Sequence, residues 1–195
     1  MSLTPVVGDR LPRRGNLVTR AIARLMMRVS GWRFEGALPN LEQFVLIVAP
    51  HTSNWDFPVG IMAMFALDVR ATFLGKDTLF NGPFGFIFRW MGGVPVDRRS
   101  PHNVVEQTVE YFKRRDRMIL ALSPEGTRRK IPRWRTGFYW VAVGAGVPIV
   151  PVALDFSRKR YIIHPPRLMT GHAEQDIAAL QTLFRADQAR RPELY

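Results

Sequence analysis

The chain has 195 residues, is 47% hydrophobic and carries 28 Lys and Arg against 16 Asp and Glu, a formal charge of +12. That length suits one domain with a sizeable core, that composition excludes a disordered chain, and the absence of cysteine excludes disulfides and thiolate metal sites. The positive balance selects anionic partners: nucleic acid, an anionic bilayer surface or phosphorylated small molecules.

Residues 1–16 read as an irregular, basic lead-in to a single domain over 1–195. Residues 17–32 then place Val18, Ile22, Leu25, Val29 and Trp32 at steps of four and three, with Arg20, Arg24 and Arg28 on the other side. This is a basic amphipathic helix. It has two readings: packed on the core with a solvated arginine face, or lying in a membrane interface with its apolar side in the acyl region. The interrupting arginines also argue against a signal peptide.

Phe44 to Ala49 is a short apolar run suited to a strand buried on both faces, and it delivers His51 to its carboxyl end. Asp56 reads as the N-cap of a helix continuing through Leu67, with Pro58 in its first turn. Ala71 to Leu74 is a second strand. Asn81-Gly82-Pro83 is a turn, followed by the aromatic-rich Phe84 to Trp90, and Gly92 to Val96 is a turn with a short strand. Ser100-Pro101 opens a helix with Val105, Val109 and Phe112 inward. Arg117 to Leu122 is a strand delivering the loop Ser123 to Arg128.

Thr136 to Leu154 runs 19 residues without a charge. Its glycines and prolines make it a buried helix, a turn and a buried strand rather than a bilayer span, because lipid-exposed backbone broken this way leaves polar groups unpaired. Arg160 to Ile163 is a further strand. Asp176 to Arg190 is a closing helix with Ile177, Leu180 and Phe184 inward. Strands alternating with helices predict an α/β fold with a mostly parallel sheet flanked by helices, and ligands gather at the carboxyl ends of such strands. His51 and Glu125 to Arg128 both follow predicted strands.

His51 is the candidate general base, since a neutral imidazole accepts a proton near neutral pH. Asp56 is the candidate partner that fixes its tautomer and stabilises the imidazolium. No serine sits in a G-x-S-x-G elbow, so direct attack by an acceptor hydroxyl on an activated acyl donor fits better than an acyl-enzyme. In Glu125-Gly126-Thr127-Arg128 the glycine permits a tight turn, the threonine offers a hydroxyl and the arginine presents a planar fork suited to phosphate. Lys76 and Arg98 follow short apolar runs and add positive charge. His102, His164 and His172 show no metal-ligand spacing, so no metal is expected. No zinc-finger, RNP or basic-zipper pattern is present, so nucleic acid is not an expected partner.

Four blocks carry a resemblance. His51 to Asp56 resembles the H-x-x-x-x-D motif of the glycerol-phosphate and lysophosphatidate acyltransferase family. Gly92 to Arg98 resembles its second block, Pro124 to Arg128 its third and Val147 to Val152 its fourth. Gly75-Lys76 through Gly85 also reads like the family. The resemblance implies a glycerol-3-phosphate acyltransferase-like fold. It also implies transfer of a fatty acyl chain, from acyl-CoA or acyl carrier protein, to the hydroxyl of a lysophospholipid-like acceptor. His51 is then the base and Asp56 its partner, while Lys76, Arg98, Glu125, Gly126, Thr127 and Arg128 hold the acceptor, with Arg128 on phosphate. No cofactor is implied beyond the co-substrate. An anionic membrane surface is implied as partner, with the protein peripheral on the cytoplasmic face. The third block runs on into a basic, aromatic stretch through Trp140, and the chain lacks a long hydrophobic N-terminal hairpin, so the acceptor stays open. Acylation of another polar lipid head, acyl-thioester hydrolysis and non-catalytic lipid binding at a membrane stand as alternatives.

Overall fold

The computed structural model describes residues 4–96 and 101–195. The elements in chain order are α1 (Leu17–Ser30), β1 (Arg33–Glu35), β2 (Gln43–Ala49), α2 (Asp56–Ala66), β3 (Ala71–Lys76), α3 (Thr78–Asn81), α4 (Gly85–Met91), β4 (Gly93–Val96), α5 (Pro101–Lys113), β5 (Met118–Leu122), α6 (Gly137–Ala145), β6 (Ile149–Asp155), β7 (Arg160–Ile163) and α7 (Ala173–Gln181). The strands form one seven-stranded sheet in the order β1-β7-β6-β2-β5-β3-β4. Strands β2 to β6 run parallel; β7 is antiparallel to β6, and β1 is parallel to β7.

Strand β2 lies at the centre of the sheet, between β6 and β5. Its alternating side chains divide between two cores. Val45, Ile47 and Ala49 enter the cluster with Phe138 and Tyr139 of α6 and Leu180 of α7. Phe44 enters the other, with Met27 of α1 and Met62 of α2, and Leu46 and Val48 pack against that one. Both faces are therefore covered by helices, as a parallel sheet requires, and each fully buried aliphatic or aromatic side chain contributes about 1.5–3 kcal/mol. Helices α5 and α6 approach closely because Gly144 has no side chain: a Cβ there would stand 2.9 Å from Val109 Cγ2.

The register brings the two loops of interest together. Ile47 pairs with Leu122, so β2 and β5 end side by side in the middle of the sheet. Residues separated by 74 positions in the chain thus become neighbours.

Three expectations change, and two elements are new. Of the predicted stripe, Val18, Ile22, Leu25 and Val29 do not pack on the core: all four are exposed, Val29 by 82%, and Trp32, beyond the end of α1, is the member that is buried. Instead Ala23 and Met27 form a narrow seam against α2, and Arg20 and Arg24 turn toward the body. Arg24 Nε donates to the Ala66 carbonyl at 3.0 Å, and Arg20 stands 3.7 Å from Asp68. The orphan carbonyls at the end of α2 and the buried Asp68 draw these cations inward. Asp56 is the first residue of α2 rather than its N-cap, which is Trp55. The closing helix begins earlier, at Ala173, and ends at Gln181; Phe184 is buried beyond it, 5.5 Å from the Trp134 ring. Phe84 to Trp90, left without a type by the sequence, lies mostly in α4, and the three-residue β1 was missed altogether.

Candidate active site

The loop after β2 folds around one carboxylate. Asp56 Oδ2 accepts the Ser53 N–H at 2.8 Å and lies 3.1 Å from His51 Nδ1. Ser53 Oγ in turn accepts the Trp55 N–H at 3.2 Å. Thr52, Ser53 and Asp56 are all buried. The carboxylate also sits in the first turn of α2, where the helix dipole favours negative charge. That contact suits an imidazole that donates from Nδ1 to the carboxylate and leaves the Nε2 lone pair facing away from it. The same end of α2 is fixed to the sheet, since the Tyr161 hydroxyl of β7 donates to the Val59 carbonyl at 2.9 Å. Asp56 Oδ1 is buried without a hydrogen-bond partner among the described residues.

The loop after β5 supplies the support. Glu125 is buried at 2% exposure, and its Oε1 accepts the His51 backbone N–H at 2.7 Å. Burial pushes its carboxyl up to about 7, with the charge of Asp56 adding to the rise and the His51 N–H opposing it. Ser123 Oγ accepts the Glu125 N–H at 3.3 Å. Gly126 takes a left-handed φ of +65°, which turns the chain outward and lets Arg135 pack over it, with Cγ 3.2 Å from the place a Cβ would occupy.

One cavity of about 1400 Å³ joins these parts. His51, Asp56, Gly126, Thr127 and Arg128 line its polar end, and Arg129 and Arg135 add charge there. Its remaining wall is largely apolar, including Ile61, Met64 and Phe73 of α2 and β3. Among the described residues no carboxylate pairs with Arg128 or Arg129, so both guanidinium groups are available to an anion. An imidazole, a carboxylate holding it, cations on the cavity wall and an apolar recess together suit proton transfer on a molecule with an anionic head and an apolar chain.

The sequence-derived residues divide accordingly. His51, Asp56, Gly126, Thr127 and Arg128 share the cavity, whereas Glu125 sits behind the loop and holds His51. Arg98 lies outside the described residues, as does the side chain of Lys76, which ends β3. Ser123, Ser53 and Arg135 were missed as site residues. Their sequence signal is faint, because a serine two residues before the residue it caps looks like any loop serine. Among the described residues no three His, Asp or Glu side chains gather as metal ligands do.

Comparison with known proteins follows this geometry. The family model described as Acyltransferase matches residues 27–155. The chain is 31% identical over 133 residues to the 1-acyl-sn-glycerol-3-phosphate acyltransferase of Escherichia coli strain K12, covering 65% of this chain and 52% of that protein. It is 28% identical over 159 residues to the protein of the same name from Haemophilus influenzae, covering 76% and 64%. The chain therefore spans about half to just under two thirds of the length of these relatives. In fold it is similar to the crystal structure of the 1-acyl-sn-glycerophosphate acyltransferase PlsC from Thermotoga maritima, with a TM-score of 0.59 at 18% identity, covering 85% of this chain and 78% of that one.

Proposed function

Since the chain belongs to the Acyltransferase family, we propose that it moves a fatty acyl group from an acyl thioester to the free hydroxyl of 1-acyl-glycerol-3-phosphate or a closely related lysophospholipid. The names of its relatives support the acceptor. The observation that carries the chemistry is the 3.1 Å pairing of His51 Nδ1 with the buried Asp56, in a cavity shared with Arg128, which no carboxylate pairs among the described residues. A lipid carrier needs no such pair.

In this mechanism the acceptor's phosphate lies against Arg128 and its hydroxyl faces His51 Nε2. The imidazole removes the hydroxyl proton as the oxygen bonds to the thioester carbonyl carbon, whose π electrons move onto its oxygen. Asp56 stabilises the imidazolium. The tetrahedral intermediate collapses, the carbon–sulfur bond breaks, and the departing sulfur takes the proton from the imidazolium. The base is thereby regenerated, and ester and thiol are the products. Neither a metal nor an acyl-enzyme enters the cycle.

The outward apolar face of α1 supports a peripheral membrane site. No helix among the described residues is long and apolar enough to cross a bilayer. Leu17, Val18, Ile22, Leu25, Met26 and Val29 nevertheless face solvent together, and Phe84, Phe86 and Trp90 do the same around α4. The two are tied through Arg14, which donates to the Trp90 carbonyl at 2.8 Å just before α1 begins. An apolar face of this size, on a chain of charge +12, fits an anionic bilayer. Acyl-CoA and acyl carrier protein reach a membrane from the cytoplasm, so that is the face proposed.

One assay tests the activity. The protein is mixed with a panel of lysolipids and either labelled acyl-CoA or acyl carrier protein, and products are identified by mass. Diacylated phosphatidic acid formed from 1-acyl-glycerol-3-phosphate is the expected result. Free fatty acid appearing at the same rate without acceptor overturns the reading in favour of a thioesterase.

A further inference from the structure

The family match ends at residue 155, yet the loop carrying His51 is also held from beyond it. After Phe184 the backbone turns extended at Arg185 and closes two short 3-10 turns, Ala186–Gln188 and Pro192–Leu194. The first turn is docked at the end of β6: the Phe156 N–H donates to the Gln188 carbonyl at 2.8 Å, and Gln188 and Ala189 are buried. From there the chain crosses to the front of the site. The Arg191 backbone N–H donates to Thr52 Oγ1 at 3.2 Å, and Thr52 is only 1% exposed, so the contact lies away from bulk solvent. The Arg190 guanidinium lies 5.2 Å from the Trp55 ring centroid and 5.8 Å from that of Phe156, within cation–π range of both. Tyr195 packs against the core cluster that holds Ile47 and Ala49 of β2. Its phenol is pushed up to about 12 by burial and then by the charge of Glu125, the residue that holds the His51 N–H.

These contacts converge. Thr52 and Trp55 both lie between His51 and Asp56, and Glu125 supports the same loop from behind. A six-residue loop carrying an imidazole against a carboxylate is sensitive to small displacements, because proton transfer needs heavy atoms within about 3 Å. We propose that residues 190–195 form a brace that sets His51 against Asp56, with Arg190, Arg191 and Tyr195 as positioning residues for the transfer reaction. This rests on the reading of His51 as the base.

The test uses the whole chain and three variants: Arg190→Ala, Thr52→Val and a deletion of residues 190–195. Arg190→Ala removes only an exposed side chain and leaves Tyr195 packed against the core, so the fold persists even if the deletion weakens it; thermal melts verify this. Two readouts are taken. The first is amide hydrogen exchange at residues 51–56, expected to quicken roughly tenfold in Arg190→Ala and Thr52→Val, and by more in the deletion, with the sheet amides unchanged. The second is steady-state acyl transfer, with kcat expected to fall roughly tenfold while KM for both substrates holds within about twofold, the signature of a misplaced base rather than lost binding. Unaltered exchange at residues 51–56 in Arg190→Ala and Thr52→Val overturns the brace whether or not the chain transfers acyl groups. Faster exchange with undiminished kcat overturns its part in the reaction. An inactive wild-type chain defeats the acyltransferase reading by itself, and exchange still decides whether the loop is braced.

Discussion

The loops that follow β2 and β5 end side by side and line one cavity, yet they are built on opposite principles. The first turns its polar groups inward: Thr52, Ser53 and Asp56 are buried, and Asp56 gathers both the Ser53 N–H and the His51 ring. The second begins with a buried carboxylate, Glu125, and then turns outward at Gly126 into exposed cations at Arg128, Arg129 and Lys130. In the proposed mechanism the contrast separates two tasks. Moving a proton demands an imidazole held to a fraction of an ångström, which buried hydrogen bonds supply. Holding a phosphate demands charge and a planar fork, which a long side chain supplies without a rigid mount.

The sharpest way to break this contrast is to remove the proposed base, His51. His51→Ala is expected to lower kcat about a hundredfold to ten-thousandfold, the usual worth of positioned proton transfer, with little change in KM for the acceptor. The ring is only partly buried, at 21% exposure, so the fold tolerates its loss. Product mass measured over time gives the rate; turnover within a few fold of wild type assigns the pair a structural task instead.

Arg128→Ala probes the other loop and is expected to act in the other parameter. A charge-assisted hydrogen bond to phosphate is worth about 1.5–3 kcal/mol, which corresponds to a rise of roughly tenfold to a hundredfold in KM for the lysophospholipid. The acyl donor's KM should stay put. Replacing the acceptor by its dephosphorylated analogue should cost wild type about as much as the mutation does, and the two losses should not add. Additive losses would place the phosphate elsewhere in the cavity.

Much of this division was legible in the sequence. The apolar runs before His51 and Ser123 fixed two buried strands, and the types of residue after them implied a base and an anion site. Only the parallel pairing of Ile47 with Leu122 makes them neighbours, and no local pattern encodes which strands pair. The orientation of Glu125 was also hidden, because an acidic residue in a loop reads as solvated unless its backbone donor is known. The same holds for α1. Periodicity correctly gave an apolar stripe, but the seam actually buried is Ala23 and Met27, since Arg20 and Arg24 find partners at Asp68 and Ala66 on the body side. Residues 185–195 escaped for a related reason: their holds on the His51 loop are a backbone N–H and a stacked guanidinium, neither of which leaves a spacing to read.

Glu125 offers the smallest and most selective test, because it belongs to one loop and serves the other. Its carboxyl titrates near 7 in the folded chain against the ordinary 4.5, raised chiefly by burial. Between those values the folded protein binds more protons than the unfolded chain, so this group's contribution to stability is complete below about pH 4.5 and is lost as pH rises toward 7. Glu125→Gln keeps an oxygen for the His51 N–H but does not titrate. The stability of the Gln variant relative to wild type should therefore climb from pH 4.5 to 7 and level off above it, read from denaturation midpoints along that range, with kcat changed by no more than a few fold. Glu125→Ala instead strands the His51 N–H in a dry site, at a cost of about 1–3 kcal/mol at every pH. If Gln and wild type follow parallel courses with pH, the carboxylate is not desolvated behind the loop, and the distinction between a buried, self-satisfied loop and an open, charged one loses its hinge.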